Sequence, residues 1–482
     1  MSLMIGASQN RLLDRFLIAG EVLVLGWLIA TEDISRTGLV LVGIAGVISV
    51  LAIASSRFPI GALSLMVTSA AMPRFAGTIL NLHVRAEHIA IGLVVLMAAL
   101  EVSKGKLRTG FELKTFDYCL ISYVVLNFVT SALTSPEPQM TIRWAALNAL
   151  AVLPYFLARI LVRSEKTLYR TFLILLWVGA AESAYGIIVF LSHYAFGTAV
   201  GVELEQYGFT SAVYGTQYEP NLFGSYAACS AIMFLALFVL TPPRERRWWY
   251  SAGLAITTLG ATISLARSVF VALPIVALIV LRIAWKKGLF RLKAVVPLMA
   301  GTGLLLLAVS PLVVNVVRER FSTIELNDIA SDDTTWERLI QMGIALEDVQ
   351  AHPILGTGTA SFHLFFDPAD YPEGFAGDAE EPGWISNTPL RILHDTGAVG
   401  LVVFLFFVGS LVVGVRAVAK KATGTTFTVL TAIFCGCVLY AITFQVTEAT
   451  MLAFTWIHIG LLAAAIAILQ GKQGSAETLV AP

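Results

Sequence analysis

Apolar runs long enough to cross a bilayer recur along this sequence, and they decide what it can fold into. The greasiest is "LVVFLFFVGSLVVGV" (401–415). In hydrocarbon every backbone N–H and C=O must find an internal partner, so such runs are confined to helices or closed barrels, and a helix needs about 20 residues to cross. Candidate spans lie near 16–31, 38–54, 58–72, 86–101, 116–134, 144–161, 170–191, 221–240, 249–265, 269–285, 294–313, 397–415, 425–445 and 450–470. The expected fold class is all-α: a polytopic integral membrane protein with about 12–14 transmembrane helices and one large, partly helical loop outside the membrane. Composition agrees. The chain is 57% hydrophobic and only 13% charged, against about 25% charged in soluble domains. Formal net charge is zero, which argues against a nucleic-acid partner.

Lys and Arg in short loops mark the cytoplasmic side. The loops "KGKLRTGFELK" (104–114), "RILVRSEKTLYR" (159–170), "PPRERRWW" (242–249), "RIAWKKGLFRLK" (282–293) and "RAVAKK" (416–421) are basic, and those between them are not. This alternation places both termini in the cytoplasm. The N-terminal stretch has no cleavage-site pattern and reads as a first helix. The expected organisation is helices 1–11 over 1–313, a large external loop over 314–385, three last helices over 386–470, and a cytoplasmic tail over 471–482. The loop carries fourteen Asp and Glu against three Arg and no Lys. Within it "TTWERLIQMGIALEDVQAHP" repeats apolar residues at 336, 339, 340, 343, 344, 346 and 349, the pattern of an amphipathic helix. Thr334 and Glu337 suit a capping box at its start and Pro353 a stop at its end.

The candidate functional residues face the external side. Arg267 sits in the tight turn "TISLARSVF", where an Arg near the membrane either faces a cavity or partner or snorkels to headgroups. Arg318, Arg320 and Arg338 are the cations of the large loop; guanidinium forks suit phosphate, while the plain alternative is pairing with neighbouring acids. Arg338 falls off the apolar face of its helix. Glu219 and Asn221 lie at a helix mouth in "QYEPNLFGSYAA", where Pro220 fits a helix start and Asn221 a polar cap. His352 closes a helix before Pro353. Arg391, His394 and Asp395 stand in "WISNTPLRILHDTGAVG" (384–400), just before the greasiest run. His, Cys, Asp and Glu show no metal-ligand spacing, and no Walker motif supports nucleotide use; no metal or cofactor is expected.

The ordered set "EPNLFGSYAA", "SLARSVF", "HPILGTGTASF" and "SNTPLRILHDTGAVGL", over roughly residues 210–415, resembles the O-antigen ligase / O-antigen polymerase superfamily. The last two match the patterns His-Pro-(Leu)-x-Gly-x-Gly-x-x-x-Phe and His-Asn-x-x-Leu-x-x-Leu-x-Glu-x-Gly-x-x-Gly. The resemblance implies a metal-independent glycosyltransferase of the bacterial inner membrane with a periplasmic active site. Its substrate would be an undecaprenyl-diphosphate-linked glycan, its surroundings membrane lipids, and its associates a chain-length regulator and a flippase. Carried over, Arg267 and Arg338 would engage the pyrophosphate; Asn387 and Asp395 fill family positions, and His394 neighbours them. Arg318, Arg320, Arg391, Glu219, Asn221 and His352 complete the substrate-binding candidates. One position departs. The family His of His-Asn is Ser386, which cannot act as a base near neutral pH, and His394 lies about 12 Å further along a helix. That departure favours polymerisation of repeat units for O-antigen, capsule or exopolysaccharide over ligation to lipid A-core or protein. The alternative from another class is a lipid-linked glycan transporter, for which Glu21 and Glu182 inside spans would speak.

Overall fold

The computed structural model describes residues 57–79, 82–107, 111–203, 212–242, 245, 247–289, 333–365 and 385–477. The expected spans at 16–31, 38–54 and 294–313, and Arg318 and Arg320, lie outside them. Twelve helices account for most of the described chain: α1 (Ile60–Ala70), α2 (Ala86–Ser103), α3 (Thr115–Leu133), α4 (Pro138–Leu161), α5 (Glu165–Phe196), α6 (Pro220–Leu240), α7 (Trp248–Ile263), α8 (Arg267–Lys286), α9 (Asp333–Ala351), α10 (Thr388–Ala419), α11 (Gly424–Thr443) and α12 (Ala453–Glu477). Nine of these are long and apolar enough to cross a membrane, and the fold is the expected all-α polytopic one. Two small antiparallel hairpins add β1 (Ala76–Ile79) with β2 (Leu82–Arg85), and β3 (Val202–Glu203) with β4 (Ala212–Val213).

α6 is the core of the bundle, buried over almost its whole length among α5, α7, α8 and α11. α10 packs on α3, and α12 on α4. Lipid offers no hydrophobic drive for helix association, so small residues that let backbones approach become the adhesive. A side chain at Gly460 of α12 would meet the Tyr155 backbone of α4 at 2.7 Å, and one at Gly436 of α11 would meet the Cys229 sulfur of α6 at 2.8 Å. α7 packs closely on α6. Gly224 of α6 nestles against Ser264 after its end, and Phe234 of α6 against Gly253 near its start. It therefore runs antiparallel along α6 from end to end.

The connections sort to two ends. At one end the Asp117 carboxylate, at the start of α3, receives the Arg159 guanidinium at 2.9 Å and the Tyr155 hydroxyl at 2.7 Å, all three buried. At the other end the chain segments interlock. Thr216 donates to the Ala71 carbonyl at 2.8 Å, Thr388 N–H to the Phe444 carbonyl at 3.0 Å, and Thr359 N–H to the Ser131 hydroxyl at 3.0 Å. The α9 segment and the mouths of α6, α8 and α10 all belong to this second end. Breaking a buried ion pair by removing one partner strands the other charge and costs about 3–5 kcal/mol. Asp117→Ala is expected to lower the thermal unfolding midpoint of the detergent-solubilised protein accordingly.

Candidate functional site

The site begins with a broken helix. α10 starts on Asn387, whose side-chain oxygen accepts from Leu390 N–H at 2.8 Å while its amide donates to the Gln445 carbonyl at 2.8 Å. Ten residues later Gly397 leaves the helical region at φ 64° and ψ −171°. A break of this kind frees backbone groups that membrane surroundings cannot solvate. The "HPILGTGTASF" loop supplies the partners. Thr357 and Gly358 N–H donate to the carbonyls of His394 and Asp395 at 2.9 and 3.0 Å, and Ala398 N–H donates to the Pro353 carbonyl at 2.9 Å. Both crossing points are glycines for steric reasons. A side chain at Gly356 (φ 69°) would collide with the His394 carbonyl, and one at Gly397 with that of Ile354. The two family-like motifs are thus one interlocked unit.

Side chains extend the lock. Asp395 accepts from Ala360 N–H at 3.0 Å through one oxygen and faces His394 Nδ1 at 3.1 Å through the other. His394 is fully buried, and its Nε2 faces the Asp348 carboxylate of α9 at 3.2 Å. With a carboxylate at each ring nitrogen, the imidazole has its hydrogen-bonding capacity filled. Arg391, also buried, lies 2.5 Å from Glu448 and 3.4 Å from Asp395, and donates to the Thr450 hydroxyl at 3.1 Å. So Arg391, His394 and Asp395 stand together as expected, but turned toward Glu448 and Asp348, which sequence reasoning missed. Their partners lie 57 and 46 residues away in the chain (448 − 391 and 394 − 348), and nothing local announces them.

α9 lies over this unit. Ala345 is buried with Phe362, Ile385 and Leu390, and Met342 and Ile344 pack against them. The inward stripe carries Arg338, Met342, Ala345 and Asp348, whereas Leu339 and Leu346, both on the expected apolar face, are each 47% exposed. The helix therefore turns both apolar residues, Met342 and Ala345, and polar ones, Arg338 and Asp348, toward the bundle. Arg338, off the apolar face, is on the packed one. Its charge acts on Glu219, the residue before α6. Glu219 caps no helix N–H with its side chain; it accepts instead from the Thr447 hydroxyl. Burial pushes the Glu219 carboxyl above the usual carboxylate range, the Thr447 hydrogen bond and Arg338 oppose this, and Glu448 adds to the rise.

Asn221 is half-buried as the second residue of α6, and Arg267 half-buried as the first residue of α8. The turn before Arg267 holds Leu265 at φ 55° and presses Ser264 onto Gly224, which brings Arg267 to the mouth of α6. His352 is exposed beside the Phe365 ring, at the rim. Ser386 reaches Gln341 of α9 at 3.4 Å. Positive charge at this end is richer than the large loop suggested. Arg74 stacks over Tyr214 at 4.0 Å, and buried Arg85 donates to the Met451 carbonyl at 2.8 Å while facing Glu87 at 3.0 Å. The buried Glu182 accepts from Thr216 N–H at 2.9 Å, which gives it an anchoring job inside its span. Among the described residues no group of three His, Cys, Asp or Glu side chains is placed to hold a metal ion.

Residues 252–405 match the family described as O-antigen ligase. The match runs from α7 into α10 and includes the interlocked unit, Arg267 and Arg338. It covers about a third of the chain (154 of 482 residues) and supports a likeness to the O-antigen ligase/polymerase superfamily and an enzyme of that general type. Glu219, Asn221 and Glu448 lie outside the matched segment. No curated protein is significantly similar to the chain. Gly397→Ala and Gly356→Ala each force a side chain into opposing backbone at positive φ, a strain of about 1–3 kcal/mol before the collision is counted. Both variants are expected to unfold at lower temperature in detergent and to expose 353–365 to protease.

Proposed function

From the O-antigen ligase match over 252–405, we propose that this protein is a glycosyltransferase that polymerises undecaprenyl-diphosphate-linked oligosaccharide repeat units. The observation that carries the reading is the placement of Arg338 on α9 and of Arg267, Glu219 and Asn387 at helix starts on the same end of the bundle. The basic loops leave from the opposite end, which under the positive-inside rule supports a periplasmic site.

In the proposed reaction a carrier-linked glycan enters from the lipid with its diphosphate at the helix mouths. The anomeric bond to the diphosphate breaks as a sugar hydroxyl of a second carrier-linked glycan attacks. Negative charge grows on the leaving diphosphate, and fixed guanidinium groups in a water-poor site stabilise growing charge most effectively. Arg338 and Arg267 are assigned that task. Arg391 is assigned another. With Glu448 and Asp395 against it, its charge is already balanced, and it holds the segment after α11 to the start of α10. His394 and Asp395 are positioning residues on the same grounds. Ser386, where the family has His, favours polymerisation over ligation to lipid A-core or protein. A chain-length regulator and a flippase remain the expected associates.

Purified protein incubated with a carrier-linked repeat unit should yield a ladder of products on a gel. A single transfer to lipid A-core would instead establish the ligase reading, and movement of the glycan across vesicles without transfer the transporter reading. Arg338→Ala and Arg267→Ala should each lower the turnover rate by about 100-fold or more, the scale seen when a charge-stabilising donor is removed. Expression and thermal stability should be unchanged. Elongation at the wild-type rate by both variants would refute the diphosphate assignment.

A further inference from the structure

An attacking sugar hydroxyl must lose a proton, and Ser386 provides no base for it. The carboxylates at this end of the bundle can be sorted by what already faces them. Asp395 and Glu448 face Arg391, and Asp348 faces His394. Glu219 accepts from the neutral Thr447 hydroxyl, with the charge of Arg338 acting on it. Its backbone occupies the N-cap position of α6, yet its side chain turns away from the helix N–H groups. It is also joined to the position of the missing His. Thr388 N–H donates to the Phe444 carbonyl, Asn387 donates to the Gln445 carbonyl, and two residues on Thr447 reaches Glu219. The 444–447 segment thus ties residues 386–388 to the Glu219 carboxylate, beside the Arg338 assigned to the diphosphate.

We propose that the Glu219 carboxylate is the proton acceptor of the transfer, the role left open by Ser386 where the family pattern has His. The inference rests on the glycosyltransferase reading above. In the step, a lone pair of the acceptor hydroxyl oxygen forms the bond to the anomeric carbon. The bond from that carbon to the diphosphate oxygen breaks, and its electron pair leaves on the diphosphate. The hydroxyl proton passes to Glu219, which returns it to water before the next cycle. Partial burial suits the task, since a carboxylate held above its usual range is a stronger base near neutral pH. The charged groups facing it are Arg338 from α9, which favours the ionised form, and Glu448 from the segment after α11, which opposes it.

The test is the pH profile of polymerisation by full-length protein in detergent or nanodiscs, with a carrier-linked repeat unit as substrate. Glu219→Gln should lower kcat by about 10²–10⁴-fold with little change in KM, and the residual rate should lose the acid limb of the profile. Glu219→Asp should recover part of the rate. Thr447→Val keeps the carboxylate but removes a hydrogen bond to its charged form, so the acid limb should move to higher pH. Wild-type kcat in Glu219→Gln, a loss carried by KM alone, or an unaltered acid limb would overturn the proposal. Should Glu219→Gln fail to accumulate in membranes, the Thr447→Val profile decides alone, and an unmoved limb overturns it. If the wild-type protein transfers no glycan, the functional reading fails, which is a separate result from a Glu219→Gln variant that still polymerises.

Discussion

The arrangement at the site end depends on how the backbone is satisfied where α10 breaks. Gly397 releases carbonyls and N–H groups in a segment that adjoins an apolar span, where water is not a ready substitute. The loop at 353–361 takes them up, bonding to the carbonyls of His394 and Asp395 from one side and to Ala398 N–H from the other. Once it is docked, Asp395 can reach Ala360 N–H and Asp348 can reach His394. α9, which leads directly into that loop, is then fixed over the mouths of the neighbouring helices. The position of Arg338 is therefore a consequence of a backbone accounting problem some sixty residues further along the chain (397 − 338 = 59).

The loop is also held from the far side. Thr359 donates to the Asn127 side-chain oxygen at 3.0 Å, and Asn127 accepts from Asn148 at 3.2 Å, so a buried amide pair between α3 and α4 carries it. Hydrogen bonds between such buried groups make the arrangement specific. A rigid floor suits electrostatic catalysis, because dipoles and charges aligned beforehand need no reorganisation as the reaction proceeds.

Much of the fold was legible in the sequence, because the signal for a membrane helix is a local one. The expected spans from 58–72 to 269–285 and from 397–415 to 450–470 each coincide with a helix of the structure, and Pro220 opens α6 as its position suggested. The boundaries erred where polar turns prolong a helix, as at Thr388–Gly397 and at both ends of α5. The family-like motifs could be read, but not that Gly356 and Gly397 cross one another. The apolar stripe of α9 could be read as a stripe, but not that Ile344 packs inward while Leu339 and Leu346 stay exposed. Periodicity reports which residues share a side; what that side meets is set by Glu219, Glu448 and the α10 start, which come from distant parts of the chain. Glu448 itself sits in "TEAT", a short stretch with no pattern to single it out.

The Arg391–Glu448 pair has a consequence for how the chain is made. Synthesis runs from the N-terminus, and the 353–361 loop precedes the helix break it satisfies. That backbone lock can close as soon as α10 is in place. Glu448 comes later, after the whole of α11 has been inserted. For the time it takes to synthesise and insert that hairpin, Arg391 stands at the edge of the apolar span without its nearest carboxylate. The newborn protein thus passes through a stage with its floor laid and one bolt still missing, and that stage is where a chaperone or a membrane protease could tell an unfinished molecule from a finished one.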